Sequence, residues 1–136
     1  MGLYLCVFRG DDELEGLEVG SYEDFERFRD AARSLDRRVF RRFGTLRANV
    51  KPNTHWSHRE AARLASELVA LAAELRKLPP KPFPPGSWQE EIARERGLAP
   101  ASLYDCFFDV DGEPLVERLL ALCKVAVQAQ QAILFQ

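Results

Sequence analysis

The sequence predicts an α+β fold: one domain over residues 1–136, built from a small mixed or antiparallel sheet and about four helices, with the C-terminal strand joining the N-terminal one. Three observations carry this. The chain opens and closes on short apolar runs, the hydrophobic spacing between them switches between a period of two and one of three to four, and the order of elements is not a regular strand–helix alternation. At 136 residues, of which 46% are hydrophobic and 29% charged, the chain suits one core and excludes disorder as a description of the whole.

Leu3 to Phe8 is a continuous apolar run closed by Gly10-Asp11-Asp12, the pattern of a strand buried on both faces at the centre of a sheet. Leu17 and Val19 then alternate with Glu18, so Leu3–Arg9 and Leu14–Val19 pair as a hairpin across an acidic turn. Ser21 with Asp24 reads as an N-cap with an acidic first turn, and Tyr22, Phe25, Phe28, Ala32 and Leu35 give the spacing of an amphipathic helix. Over Thr45–Val50 the period returns to two, which predicts a strand with one wet face, ended by Pro52-Asn53.

Ser57-x-x-Glu60 is a capping box ahead of Ala61, Leu64, Ala65, Leu68, Leu71, Ala72, Leu75 and Leu78, a helix of about 20 residues. Five prolines between Pro79 and Pro85 deny its continuation and impose extended geometry, a stiff crossing inside the domain. Ser87-x-x-Glu90 is a third capping box, opening a short helix from Trp88 that ends at Gly97. Leu103–Val110 fits a strand or a tight helical turn, with the strand preferred. Pro114 suits the first turn of a helix whose apolar face, from Leu115 to Val127, needs cover on more than one side, from the same chain or from a second copy in a homodimer. Ala132–Phe135 is too apolar to stand in water, and pairing beside the first strand would cover both it and a sheet edge.

A net charge of −2 excludes a general positive field for coating nucleic acid. The charge is nevertheless segregated: residues 1–36 carry ten acids and four bases, residues 37–51 six bases and no acid. Asp11, Asp12, Glu13, Glu15 and Glu18 form a candidate partner-binding surface, since complementary potential speeds association with a basic protein. The same acids also suit a solvated hairpin tip. Arg38, Arg41, Arg42 and Arg47, together with Arg37 and Lys51 and interleaved with Phe40 and Phe43, form a candidate anion-binding segment that could grip phosphate or stack bases. No recognised nucleic-acid motif surrounds them, and the wet face of a strand accounts for them equally, so nucleic acid is disfavoured as a partner.

His55 and His58 stand three apart, but no further ligand at metal spacing accompanies them, and helix starts use such residues for capping; no metal and no cofactor is expected. Cys106 with Asp105, Asp109 and either His could be cast as the nucleophile, base and orienter of a small enzyme with a dispersed site, yet Tyr104, Phe107 and Phe108 around it are those of a packed segment. Asp109-Val110-Asp111-Gly112-Glu113 has alternating acids like a calcium loop, but its glycine stands fourth rather than sixth, and a turn whose acids cap the next helix accounts for it. The apolar opening lacks a basic region and stops at Arg9, so neither a targeting signal nor a membrane span is expected. Three cysteines make no disulfide framework, and the cytoplasm is the expected compartment.

Taken together, Gly2-Leu3-Tyr4-Leu5-Cys6-Val7-Phe8, Gly16-Leu17-Glu18-Val19-Gly20-Ser21-Tyr22, Ser102-Leu103-Tyr104-Asp105-Cys106-Phe107 with Asp109-Val110-Asp111-Gly112-Glu113-Pro114-Leu115, and Ile133-Leu134-Phe135-Gln136 resemble a family of small bacterial proteins. These are the predicted immunity proteins encoded beside polymorphic secreted toxins. The resemblance implies a cytoplasmic, non-enzymatic protein that binds and neutralises a cognate toxin domain, and it carries over no catalytic residue. The chain departs from the family pattern after Thr45: in place of an apolar strand and acidic turn, Leu46-Arg47-Ala48-Asn49-Val50-Lys51 is basic. No acidic inhibitory surface is implied for that face.

Overall fold

In the computed structural model, which describes residues 2–39, 42–48 and 53–136, the strands β1 (Gly2–Arg9), β2 (Asp12–Ser21), β3 (His55–Trp56) and β4 (Ile133–Phe135) form one antiparallel sheet. Its order is β2-β1-β4-β3, which places the first strand inside the sheet, as expected, and sets the C-terminal strand beside it; the expected burial on both faces is incomplete, since Tyr4 and Phe8, on the face away from the helices, are only half-buried. Leu5 pairs with Phe135 and Cys6 with Leu134, so the two ends of the chain share a ladder.

The helices are α1 (Tyr22–Val39), α2 (Gly44–Arg47), α3 (His58–Leu75), α4 (Trp88–Arg96) and α5 (Leu115–Ala129). Leu3, Leu5, Val7, Leu17, Val19, Ile133 and Phe135 line one sheet face and share a core with Phe25 and Phe28 of α1, Leu64, Leu68 and Leu71 of α3, and Leu119 and Leu122 of α5. The architecture is therefore two layers, a sheet backed by helices on one face. Removing each of these large apolar side chains from water stabilises by about 1.5–3 kcal/mol. The wide apolar face of α5 is used within the chain, against α3 and the sheet.

Of the three expected capping boxes, two close in full. At Ser57 both halves of the capping box are made, the hydroxyl accepting from Glu60 N and the Glu60 carboxylate from Ser57 N. Ser21 and Asp24 make the same reciprocal pair at the start of α1. Ser87 accepts from Glu90 N, whereas Glu90 reaches back to Gly86 N, one residue earlier than the box requires. Gly97, at φ 64°, closes α4.

Two expected strands are not strands. Within Thr45–Val50, residues 45 to 47 belong to the single helical turn α2, whose cause lies in distant side chains described below; Asn49 and Val50 lie outside the described residues. Leu103–Val110 begins as a 3-10 turn, Leu103–Cys106, and pairs only through one bridge between Phe108 and Pro114. Its apolar side chains fill gaps between helices instead of a sheet row: Phe107 meets Phe28 edge-on at 5.2 Å, and Phe108 meets Phe83 and Trp88. The fourth strand comes from His55–Trp56, in the approach to the long helix, where no strand is expected; Trp56 is fully buried and packs edge-on against Phe135 at 4.6 Å.

Candidate functional site

The β1–β2 hairpin turns through Gly10, at φ 61°, and Asp11, with Arg9 opposite Asp12. Its register is not regular. Val7 pairs with Glu15 and Phe8 with Glu13, so Leu14 is an extra residue, a bulge left 38% exposed; a second bulge stands at Val19. The first bulge divides the acidic residues between two faces. Glu15, opposite core-facing Val7, turns towards the helices and lies 3.9 Å from Arg118 of α5. Glu13, opposite Phe8, and Glu18, opposite Tyr4, stay on the face away from the core.

There the Tyr4 hydroxyl donates to the Glu13 carboxylate, and this bond, with burial and the Glu13 charge, pushes the Tyr4 pKa up to about 12. The Tyr4 ring lies diagonally across Gly16, where a Cβ would overlap its hydroxyl, so glycine at this position gives the ring its bed. Asp11, Asp12, Glu13 and Glu18 are exposed, and none has a cation within ion-pair distance among the described residues. The structure thus brings four of the five predicted acids to the hairpin tip and outer face, and takes Glu15 elsewhere.

The outer edge of β2 is covered by the loop that follows the 3-10 turn. Asp109, 1% exposed, accepts from the backbone N–H of Asp111 and Glu113 and from Arg118 Nε, at 2.9, 3.0 and 3.2 Å. Arg118 in turn donates to Gly16 O at 2.7 Å, and Val110 N donates to Glu18 O. The acids here were expected to cap the next helix, yet Pro114 occupies the N-cap position with no side-chain bond. Asp109 instead ties its own loop to α5, and Arg118 and Val110 tie both to the hairpin.

The basic segment divides differently. Glu67 of α3 accepts from Thr45 N and Leu46 N at 3.1 and 3.0 Å, placing a carboxylate at the start of α2. Arg29 of α1, 6% exposed, donates to the carbonyls of Leu46 and Arg47 at its end. Opposite charges therefore sit at the poles they complement, which stabilises a helical turn over a strand. Arg42 lies 3.6 Å from Glu74 and its guanidinium 5.3 Å from the Phe43 ring centre. The side chains of Arg37 and Arg38, and all of Phe40, Arg41 and Lys51, lie outside the described residues.

Cys106 donates to the carbonyls of Lys81 and Ser102, and burial, the largest influence, pushes its pKa up, which favours the thiol over the thiolate. His55 is exposed on the edge strand and His58 opens α3; among the described residues no three His, Cys, Asp or Glu side chains gather as a metal site.

A groove of about 480 Å³, absent from the sequence expectations, lies between α1 and the proline segment, lined by Ala31, Phe83, Trp88, Gln89, Cys106 and Phe107 among others. Asp24 stands at one end and accepts from Ser21, Arg27, Trp88 Nε1 and Gln89 Nε2. The signal available was Phe83 within the proline run and Trp88 just after it, two large rings where a free loop would keep none.

The fold and these surfaces define a small two-layer α+β protein with an acidic hairpin at one edge of its sheet. Over residues 3–135 the sequence matches the family Immunity protein 70, and the chain belongs to that family, as the resemblance implied. Membership suggests a toxin-neutralising role in general terms. No curated protein and no solved structure matches the chain. Among the described residues no helix is long and apolar enough to cross a membrane.

Proposed function

We propose that this protein binds a cognate toxin domain and neutralises it by occlusion, without catalysis, through the acidic hairpin. The observation that carries this reading is the set of exposed carboxylates, Asp11, Asp12, Glu13 and Glu18, held on the β1–β2 hairpin without cation partners among the described residues. Side chains fixed on a strand pair are placed for a partner with less ordering cost than a free loop would require. A family of immunity proteins supplies the kind of partner, and the reading places the protein in the cytoplasm, where its three free thiols stay reduced.

The test is affinity for the toxin domain encoded beside the gene, measured for the wild type and for the triple variant Asp11→Lys, Asp12→Lys, Glu13→Lys. Each exposed charge is worth about 0.2–1 kcal/mol, so reversal of three weakens binding about 3- to 150-fold at low salt, and the difference shrinks as salt rises. Equal affinity of the two proteins at low salt removes the hairpin from the mechanism.

A further inference from the structure

The sheet face opposite the helices carries a pattern that the hairpin acids alone do not explain. Leu3, Leu5 and Val7 of β1 face the core, so Tyr4, Cys6 and Phe8 face away, and none of these three belongs to the core cluster. Cross-strand pairing sets Glu18 beside Tyr4, Gly16 and Leu134 on either side of Cys6, Glu13 beside Phe8, and His55 beside Leu134. Cys6 is fully buried between these neighbours, while Tyr4, Phe8 and Leu134 are half-buried. The face therefore has two cross-strand pairs that set an aromatic residue opposite an acid at the backbone, Tyr4 with Glu18 and Phe8 with Glu13, and the Glu13 carboxylate reaches past Gly16 to the Tyr4 hydroxyl. Paired side chains of an antiparallel ladder lie about 5 Å apart at Cβ, and four residues along β1 separate the backbones of the two pairs by about 13 Å.

We infer that this open face is the docking surface for a basic segment of the toxin, which lays arginine side chains over the Tyr4 and Phe8 rings and pairs them with Glu18 and Glu13. The inference rests on the toxin-binding reading above. Charge complementarity selects the occupant: Glu13 and Glu18 have no cation partner among the described residues, and Asp11 and Asp12 extend the same field at the hairpin tip. The rings select the kind of cation. A guanidinium is planar, stacks on an aromatic face, and presents donors along its edge to a neighbouring carboxylate, whereas a lysine ammonium does not stack. Glu13 holds one oxygen on the Tyr4 hydroxyl and keeps the other for a partner. The backbone spacing of the two pairs equals that of residues i and i+4 in an extended chain, which point to the same side.

The test uses the full chain, ¹⁵N-labelled, titrated with acetyl-Arg-Gly-Ser-Gly-Arg-amide and with its lysine counterpart. The expected result is chemical-shift change concentrated at Tyr4, Cys6, Phe8, Glu13 and Glu18, with the arginine peptide bound about threefold more tightly. Phe8→Leu reduces that preference, and Glu18→Gln weakens both peptides about twofold. Shifts confined to other acidic surfaces, or equal binding of the two peptides to the wild type, overturn the inference. The toxin domain separates the two readings. Toxin binding that survives Phe8→Leu combined with Glu18→Gln at full strength overturns docking on this face and leaves toxin binding standing. Failure of the wild type to bind the toxin while it still binds the arginine peptide removes the toxin reading and leaves the face.

Discussion

Asp24 is where the start of α1, the start of α4 and the end of β2 are held together. Its Oδ2 accepts from Ser21 N, Ser21 Oγ and Trp88 Nε1, and its Oδ1 from Gln89 Nε2 and Arg27. Trp88 and Asp24 also press on Gly20, at φ 116°, where a Cβ would stand 2.6 Å from the carboxylate and 2.7 Å from the indole. Burial by itself raises the pKa of such a group, but the bonds from Ser21, Trp88 and Gln89 outweigh it and hold Asp24 at about 2. Since the folded value lies below the ordinary 3.8, the stabilisation is fully present above pH 4 and is lost as pH falls through about 2. With 14% of the side chain exposed, the shift corresponds to about 2 kcal/mol. Asp24→Asn should therefore unfold at lower urea than the wild type at pH 7, by about that free energy, and the two curves should converge near pH 2. A gap that stays constant from pH 7 to pH 2 would show that the charge of Asp24 does not contribute.

At the scale of elements, α2 shows how distant charges override local pattern. Its four residues are too few to hold a helix by propensity, and the alternating spacing of Leu46, Ala48 and Val50 favours a strand. Glu67 and Arg29 reverse that preference. Glu67→Ala should cost about 1–2 kcal/mol, because two amide donors lose their acceptor, and amide exchange at Thr45 and Leu46 should accelerate. Unchanged protection at both amides would contradict the clamp. The same contrast explains what was legible in the sequence. The hairpin, the capped helices α1, α3 and α4, and the terminal strand announce themselves through contiguous residues: a serine with an acid three places on, a strict period, a glycine stop. The turn at α2, the 3-10 turn at Leu103–Cys106 and the short strand at His55–Trp56 depend on partners far along the chain, so no local period marks them. For the candidate site, the acids were readable and their geometry was not. In a regular strand Glu13 and Glu15 share a face and Glu18 opposes them. One extra residue at Leu14 sends Glu15 to Arg118 and aligns Glu13 with Glu18.

At the scale of the molecule, the sheet closes only when the last residues return to the first. β4 lies between β1 and β3, and its flanks extend the ladder: Tyr4 and Gln136 exchange both backbone bonds, at 2.9 and 2.8 Å, and Phe135 N and O pair with Thr54 and Asn53. Ile133 is 0% and Phe135 1% exposed, and Trp56 depends on Phe135 for its edge-on partner. Full burial of two such side chains stabilises by about 3–6 kcal/mol, and the edges of β1 and β3 lose their bonded neighbour as well. Total stability of a domain is about 5–15 kcal/mol, so deletion of residues 132–136 should remove most of it. The expected outcome is loss of a sharp urea transition, with far-ultraviolet helix signal partly kept, because α3 and α5 pack on each other independently of β4. Phe135→Ala is the graded version, costing about 3–5 kcal/mol with cooperative unfolding retained. A truncated chain that unfolds at the wild-type midpoint would mean that the sheet stands without its closing strand. Because Tyr4 pairs with Gln136 while facing Glu18 across β1, that result would also mean the hairpin holds its acidic face without support from β4.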